Sequence, residues 1–369
     1  MRRYVIGFMT AVALMLSWPG VASAATGWVR QPAPLPPGAM FGMTTGVSCP
    51  TAGDCTAVGF SNNLAHSNRH PLAEQWTGGA WTVQPVARPA GFAGGVLAAV
   101  SCVSPGRCTA VGEYSSQDSS SLLAEAWNGS RWAVQAMPNP PGAISSLLLG
   151  VSCTSAAGCT AVGSTEGQGI TPLAEHWNGS TWAIQSVPGH GTLSGVSCTG
   201  PAACMAVGTD DSTGGPAAEQ WNGSTWTVRH APAPAGATGG QLSAVSCTSA
   251  TDCTAVGFYT NSADADQPLA ETWNGITWTV RPAAPHPGGA ADDLNGVSCT
   301  SVARCTAVGG GGLAEVWNGT RWTVQQTASP AGRNLFESVS CVAARTCTAV
   351  GDGSSSASGH KALPLAEHE

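Results

Sequence analysis

The cysteines are the residues with the plainest chemistry in this chain. Fourteen of them form seven copies of one motif, Cys-x5-Cys, each continuing as Thr/Met-Ala-Val-Gly. Such thiols could ligate zinc, exchange disulfides or form structural bridges. No C-x2-C and no companion histidine pair accompanies them, which speaks against zinc. An even count in an oxidising compartment reads as disulfides, and the repeat assigns the pairing within each copy. The pairs are Cys49 with Cys55, Cys102 with Cys108, Cys153 with Cys159, Cys198 with Cys204, Cys247 with Cys253, Cys299 with Cys305 and Cys341 with Cys347. A loop this short stabilises by roughly 2 to 2.5 kcal/mol in the chain-entropy model.

Carboxylates and aromatics repeat with the cysteines. Glu74, Glu125, Glu175, Glu219, Glu271, Glu315 and Glu367 each stand two residues before a Trp or its equivalent position. Seven equivalent carboxylates cannot converge on one substrate, so they read as structural. Buried carboxylates need donors, and the Ser and Thr flanking the cysteines, such as Ser48 and Thr56, are the expected ones. Six Trp-x4-Trp pairs could stack on sugars, but their fixed positions suit packing between repeats. Asn-Gly within those pairs, at Asn128, Asn178, Asn222, Asn274 and Asn318, is a hairpin signal that supplies positive φ. Four of these also spell N-x-S/T, which the turn already explains.

These residues are positioned by a repeating unit of four short β-type segments separated by turn residues. One segment ends in Val-Ser-Cys, the next is Cys-Thr-Ala-Val-Gly, the third ends in Leu-Ala-Glu-x-Trp and the fourth begins Trp-x-Val/Ile. Successive first cysteines are 53, 51, 45, 49, 52 and 42 residues apart. Four strands at that period are the signature of β-propeller blades, and seven cysteine hairpins count seven blades. The seventh unit stops at Glu369 without its fourth strand, while Trp28-Val29-Arg30-Gln31-Pro32 is a fourth strand without a unit. The N-terminal strand should therefore complete the C-terminal blade and leave no edge unpaired.

Met1-Arg2-Arg3, an apolar run from Tyr4 to Trp18 and Ala22-Ser23-Ala24 make a secretory signal peptide over residues 1–24. Residues 25–369 are then a single propeller domain, exported, without a membrane span, and monomeric. The formal charge is -7; losing Arg2 and Arg3 leaves twelve basic against twenty-one acidic residues. Such a chain, with Lys361 as its one lysine, is a poor binder of nucleic acid or anionic membrane. No cofactor or metal motif is present; Asp264 and Asp266 alone make a weak calcium signal.

The unit resembles secreted bacterial propellers of the broad kelch, galactose-oxidase-like and Asp-box class. Trp127-Asn128-Gly129-Ser130-Arg131-Trp132 and its counterparts are similar to the Asp-box turn S-x-D-x-G-x-x-W. They lack its aspartate and its spacing, so sialidase activity does not carry over.

In a propeller the first-to-second and third-to-fourth turns share one face, and the second-to-third loops and blade connections share the other. The first face is uniform and stapled by cysteines. On the second, the loops range from three residues (310–312) to thirteen (352–364). Binding residues concentrate on variable loops held by a rigid scaffold, so the second face is the candidate. It carries Tyr114, Asp210, Asp211, Phe258, Tyr259, Asp292, Asp293, Arg333 and Glu337 as ligand-binding candidates, with His66, Arg69, His70, His190 and His286 nearby. The favoured function is a secreted, non-catalytic module binding a glycan or a protein. The alternative is a carbohydrate-active enzyme, a glycoside hydrolase or lyase, pairing Asp292 or Asp293 with Glu337 as acid and base at the channel mouth. A structural envelope protein is a third reading.

Overall fold

The computed structural model describes residues 27–63, 68–116, 120–284, 293–328, 334–354 and 362–369. The expected signal peptide, His66, His286, Asp292 and Arg333 lie outside them. Seven antiparallel sheets of four strands each follow one another along the chain. Their first strands are Phe41–Thr51, Gly94–Ser104, Ser145–Ser155, Thr192–Gly200, Gly239–Ser249, Leu294–Ser301 and Asn334–Ala343, and together they line a central channel. Blade 7 is closed by the N-terminal strand Val29–Pro32, which pairs with Ala362–His368 in the register Val29 to His368 and Arg30 to Glu367. Trp28 is buried there, and its Nε1–H donates to Gln325 Oε1 of blade 6 at 3.1 Å. The same bond, outer Trp to the Gln ending the previous outer strand, recurs from Trp182 to Gln135 and from Trp226 to Gln185.

The core lies between blades rather than within them. Met205 and Val207 of blade 4 pack with Leu242, Val245, Leu269 and Trp278 of blade 5, and the other blade interfaces follow the same pattern. Each fully buried leucine of such a layer contributes roughly 1.5 to 3 kcal/mol. A single blade could not bury its own two faces, so the ring is the folding unit. In each complete blade the two tryptophans face each other, with ring centroids 5.6 to 5.8 Å apart.

All seven disulfides form as paired by the repeat. They do not close a free five-residue loop. The strands continue past the cysteines, and in six blades the two half-cystines are direct cross-strand partners, as with Cys102 and Cys108. The bridge therefore staples a ladder that is already hydrogen-bonded.

The serine before each first cysteine does not serve the glutamate. Its Oγ accepts the N–H of the first cysteine in the next blade: Ser48 from Cys102, Ser101 from Cys153, Ser152 from Cys198, and so on until Ser340 accepts from Cys49. The seven bonds make a closed ring around the hub. Thr56 likewise faces a neighbouring blade, with its Oγ1 3.5 Å from Cys108 Sγ. Adjacent inner strands are splayed, and a short side chain bridges the backbone gap that a ladder cannot.

The seven glutamates are all buried, and three of them take a donor from the connection that leads into their blade. Ala87, Ala284 and Ala328 each donate a backbone N–H at 3.0 Å to Glu125, Glu315 and Glu367. Each of these alanines lies six residues after the outer tryptophan of the preceding blade. In the other four connections that position is Pro34, Pro138, Pro188 or Pro232, and proline has no N–H. In those blades neither oxygen of Glu175 or Glu271 has a partner, nor has Glu74 Oε1 or Glu219 Oε2. Burial pushes each of these four carboxyls up to about 8. Burial also raises Glu125, to about 7, against the lowering effect of the Ala87 N–H.

Asn-Gly also works differently from a two-residue hairpin. Trp127 pairs with Trp132, leaving a four-residue turn. Only the glycine takes positive φ, as Gly129 does at 92°. Asn128 Oδ1 instead accepts the N–H groups of Ser130 and Arg131, each at 3.0 Å, and the copies at Asn178, Asn222, Asn274 and Asn318 repeat this.

Candidate functional site

Each inner strand carries a β-bulge at the same place, where the ladder steps over one residue. The bulged residues are Thr45, Ala98, Leu149, Ser194, Ser243, Asn295 and Glu337. A bulge re-aims a side chain, and all seven of these line the central channel. Opposite the bulge stands the glycine of Ala-Val-Gly. A Cβ on Gly59, Gly163 or Gly309 would collide with the carbonyl oxygen of Met43, Leu147 or Asp293 on the inner strand, which explains the last residue of the motif. The residue after the bulge is always Gly, Ala or Ser, because neighbouring inner strands touch there; a Cβ on Gly46 would sit 3.0 Å from Ala99 Cα. Thr45 and Asn295 tie the ring further by donating to the carbonyls of Leu97 and Phe336 in the next blade, at 2.8 and 3.1 Å.

The bulge ring is thus variable in chemistry on an invariant backbone, and Glu337 is its one charged member. Burial, with Asp352 close by, pushes its carboxyl up to about 7. Burial raises Asp352 as well. The charge of Asp352, in the same blade, adds to the raising of Glu337; Asp293, at the entry to blade 6, accepts the N–H of Gly310 through its backbone carbonyl. The cavity at this level measures about 180 Å³, room for a handful of waters at about 30 Å³ each.

The variable face separates the other candidates. Asp210 and Asp211 belong to blade 4, Phe258 and Tyr259 to blade 5 and Tyr114 to blade 2. Asp210 closes its own turn: Ser212 donates N–H and Oγ–H to its Oδ1 at 2.9 and 2.6 Å. These hydrogen bonds, the Ser212 hydroxyl first, hold its carboxyl below the usual range. Phe258 and Tyr259 are consecutive on a strand and point to opposite faces of the sheet. Tyr259 packs on the blade 4–5 cluster, while Val256, on the side of Phe258, packs toward blade 6. They do not make one stacking platform. Asp264 takes φ 62° in a turn capped by Asn261, and Asp266 accepts the Thr260 hydroxyl at 2.7 Å. Among the described residues no three His, Cys, Asp or Glu side chains gather into a metal-holding group, and no helix is long and apolar enough to cross a membrane.

One sector of this face is built differently. At the rim between blades 1 and 2, Phe41 and Phe60 lie 5.9 Å apart, and His70 and Tyr114 each lie 6.3 Å from Phe92. The Arg69 guanidinium lies 4.7 Å from the Phe60 ring centroid and that of Arg88 5.6 Å from Phe92. Arg69 also holds blade 2, its carbonyl accepting the Gly95 N–H at 2.8 Å. Arg88 and Phe92 sit in a connection whose composition resembles the others, so their contribution shows only in three dimensions.

No protein-family model and no curated protein matches the chain. Solved structures match it over nearly its whole length. The WD40 repeats of RRP9 align with a TM-score of 0.62 at 9% identity, covering 94% of this chain and 98% of that one. YCF48 bound to a D1 peptide aligns with a TM-score of 0.56 at 10% identity, covering 93% and 96%. YCF48 from Cyanidioschyzon merolae gives 0.54 at 13%, covering 93% and 98%. At such identities the likeness is one of fold, and the chain is a seven-bladed β-propeller.

Proposed function

We propose that this chain is an exported, non-catalytic interaction module that holds a polypeptide partner on its variable face. The observation carrying this reading is the asymmetry of the two faces: one has seven disulfide-stapled hairpins of a single form, the other has loops and connections that differ in every blade. Export is supported by seven disulfides, which fit an oxidising compartment, and by the signal-like residues 1–24. A surface rather than a pocket is supported by the channel, whose 180 Å³ falls below the roughly 300 to 1,000 Å³ of small-molecule sites. A polypeptide rather than a glycan is supported by the similar structures, since one is a complex with a peptide and others are WD40 repeats. Peptide-display selection on the immobilised mature chain tests this, alongside a glycan array. Enriched peptides that lose binding when the variable loops are exchanged between blades are expected; glycan hits without peptide hits contradict it.

Glu337 favours a second reading, the carbohydrate-active enzyme. A carboxyl that keeps its proton near neutrality can act as a general acid. Turnover on polysaccharides that disappears in Glu337→Gln is the result this reading requires.

A further inference from the structure

We propose that the rim between blades 1 and 2 is a docking site for an acidic polypeptide segment, read by the Arg69 and Arg88 guanidinium groups. The inference rests on the interaction-module reading and narrows it to one sector and one partner chemistry. Both arginines are exposed, while Phe60, beneath Arg69, is buried and Phe92, beneath Arg88, is half-buried. A guanidinium lying over an aromatic ring keeps its N–H edges free, and those edges match a carboxylate two bonds at a time. Three other arginines are engaged by their own neighbours, Arg229 Nε–H donating to Gln220, Arg281 Nε–H to Thr272 and Arg304 to the Ala344 carbonyl; what sets Arg69 and Arg88 apart from the remaining exposed arginines is the aromatic ring beneath each. Among the described residues no carboxylate and no other acceptor takes the N–H groups of Arg69 or Arg88.

The two arginines form one patch. Arg69 adjoins His70 in sequence, His70 lies 6.3 Å from Phe92, and Phe92 carries Arg88. The carboxylate nearest in sequence to Tyr114 is Glu113, which strand alternation turns away: Tyr114 packs toward blade 1, whereas Leu122, the cross-strand partner of Glu113, packs with blade 3. On a chain of net charge -7 the surface as a whole disfavours acidic partners, and this cationic, aromatic-backed patch is where one would be attracted. Aromatic anchors flanked by arginine are also the composition of interface hot spots. The occupant this fits is an extended segment carrying aspartates or glutamates beside apolar residues that can rest on Phe41 and Tyr114.

The experiment measures fluorescence anisotropy of labelled oligoglutamate and mixed Asp/Leu peptides on the mature chain, on Arg69→Ala/Arg88→Ala and on Arg69→Glu/Arg88→Glu. Thermal melting checks that the exposed substitutions leave the fold intact. The expected result is saturable binding that weakens with salt, falls by about tenfold or more in the double alanine variant, and switches to oligolysine in the double glutamate variant. Acidic peptides that bind equally to all three proteins overturn the proposal, as does binding of oligogalacturonate without binding of peptides. Display-selected peptides that bind the variable face while ignoring both arginine variants overturn this inference and leave the interaction-module reading standing; no selected peptide at all removes both.

Discussion

Replacing Pro138 by alanine should lower the affinity of Glu175 for its proton. Where the connection carries alanine, its N–H reaches the blade glutamate at 3.0 Å, as from Ala87 to Glu125. Where it carries Pro138, Glu175 is buried with neither oxygen bonded, and burial holds its carboxyl at about 8. Glu125, in the same setting but with the donor, stands at about 7. A hydrogen bond to the charged form favours it. Pro138→Ala should therefore bring Glu175 down by roughly one unit, which corresponds to about 1.4 kcal/mol between the two protonation states. The readout is the Glu175 side-chain carboxyl carbon followed by NMR through a pH titration. Stability is a poor readout, because a Pro→Ala change itself costs about 0.4 to 1 kcal/mol through the unfolded chain. The converse variant, Ala87→Pro, should raise Glu125. A Glu175 titration that does not move in Pro138→Ala refutes the account of why these carboxyls differ.

Other outcomes follow from the same structure. Burial holds Glu74, Glu175, Glu219 and Glu271 at about 8 when folded, against an ordinary carboxyl value of 4.5; their contribution to stability is complete below the lower value and is lost as pH rises through the upper one. The melting temperature should thus fall between those two pH values, and Glu175→Gln should flatten the fall; a rise contradicts the sign. Ser152→Ala removes the acceptor of one part-buried hub bond, that of the Cys198 N–H, and should cost about 1 kcal/mol in urea unfolding. Trp28→Ala removes the buried ring that closes blade 7, with an expected loss of about 3 to 5 kcal/mol and aggregation through the exposed edge of Ala362–His368.

Blade number and disulfide pairing were legible because the cysteine hairpin is written seven times, strand count because six units are complete, and ring closure because the seventh unit lacks the one strand that residues 28–32 supply. Details written in exceptions were harder to see. The bulge lies inside a regular motif, and its only sequence trace is a position that runs Thr, Ala, Leu, Ser, Ser, Asn, Glu just before an unvarying small residue. The connection position that supplies the glutamate donor is alanine in three blades and proline, which has no N–H, in four, a signal that lies farther from the glutamate motif than the flanking serines do. Those serines belong to the next blade, a relation no local spacing encodes. Phe258 and Tyr259 are adjacent in sequence, and strand alternation sends them to opposite faces of the sheet. The pairing of Arg69 with Phe60 and Arg88 with Phe92 joins segments that share no motif, so only the folded rim brings it together.

The claim that function resides on the variable face is tested most directly by hydrogen exchange on the mature chain with and without a display-selected peptide. The account predicts protection in the second-to-third loops and blade connections, centred on 68–70 and 88–95, with the cysteine hairpins unchanged. Protection confined to the cysteine hairpins would contradict it.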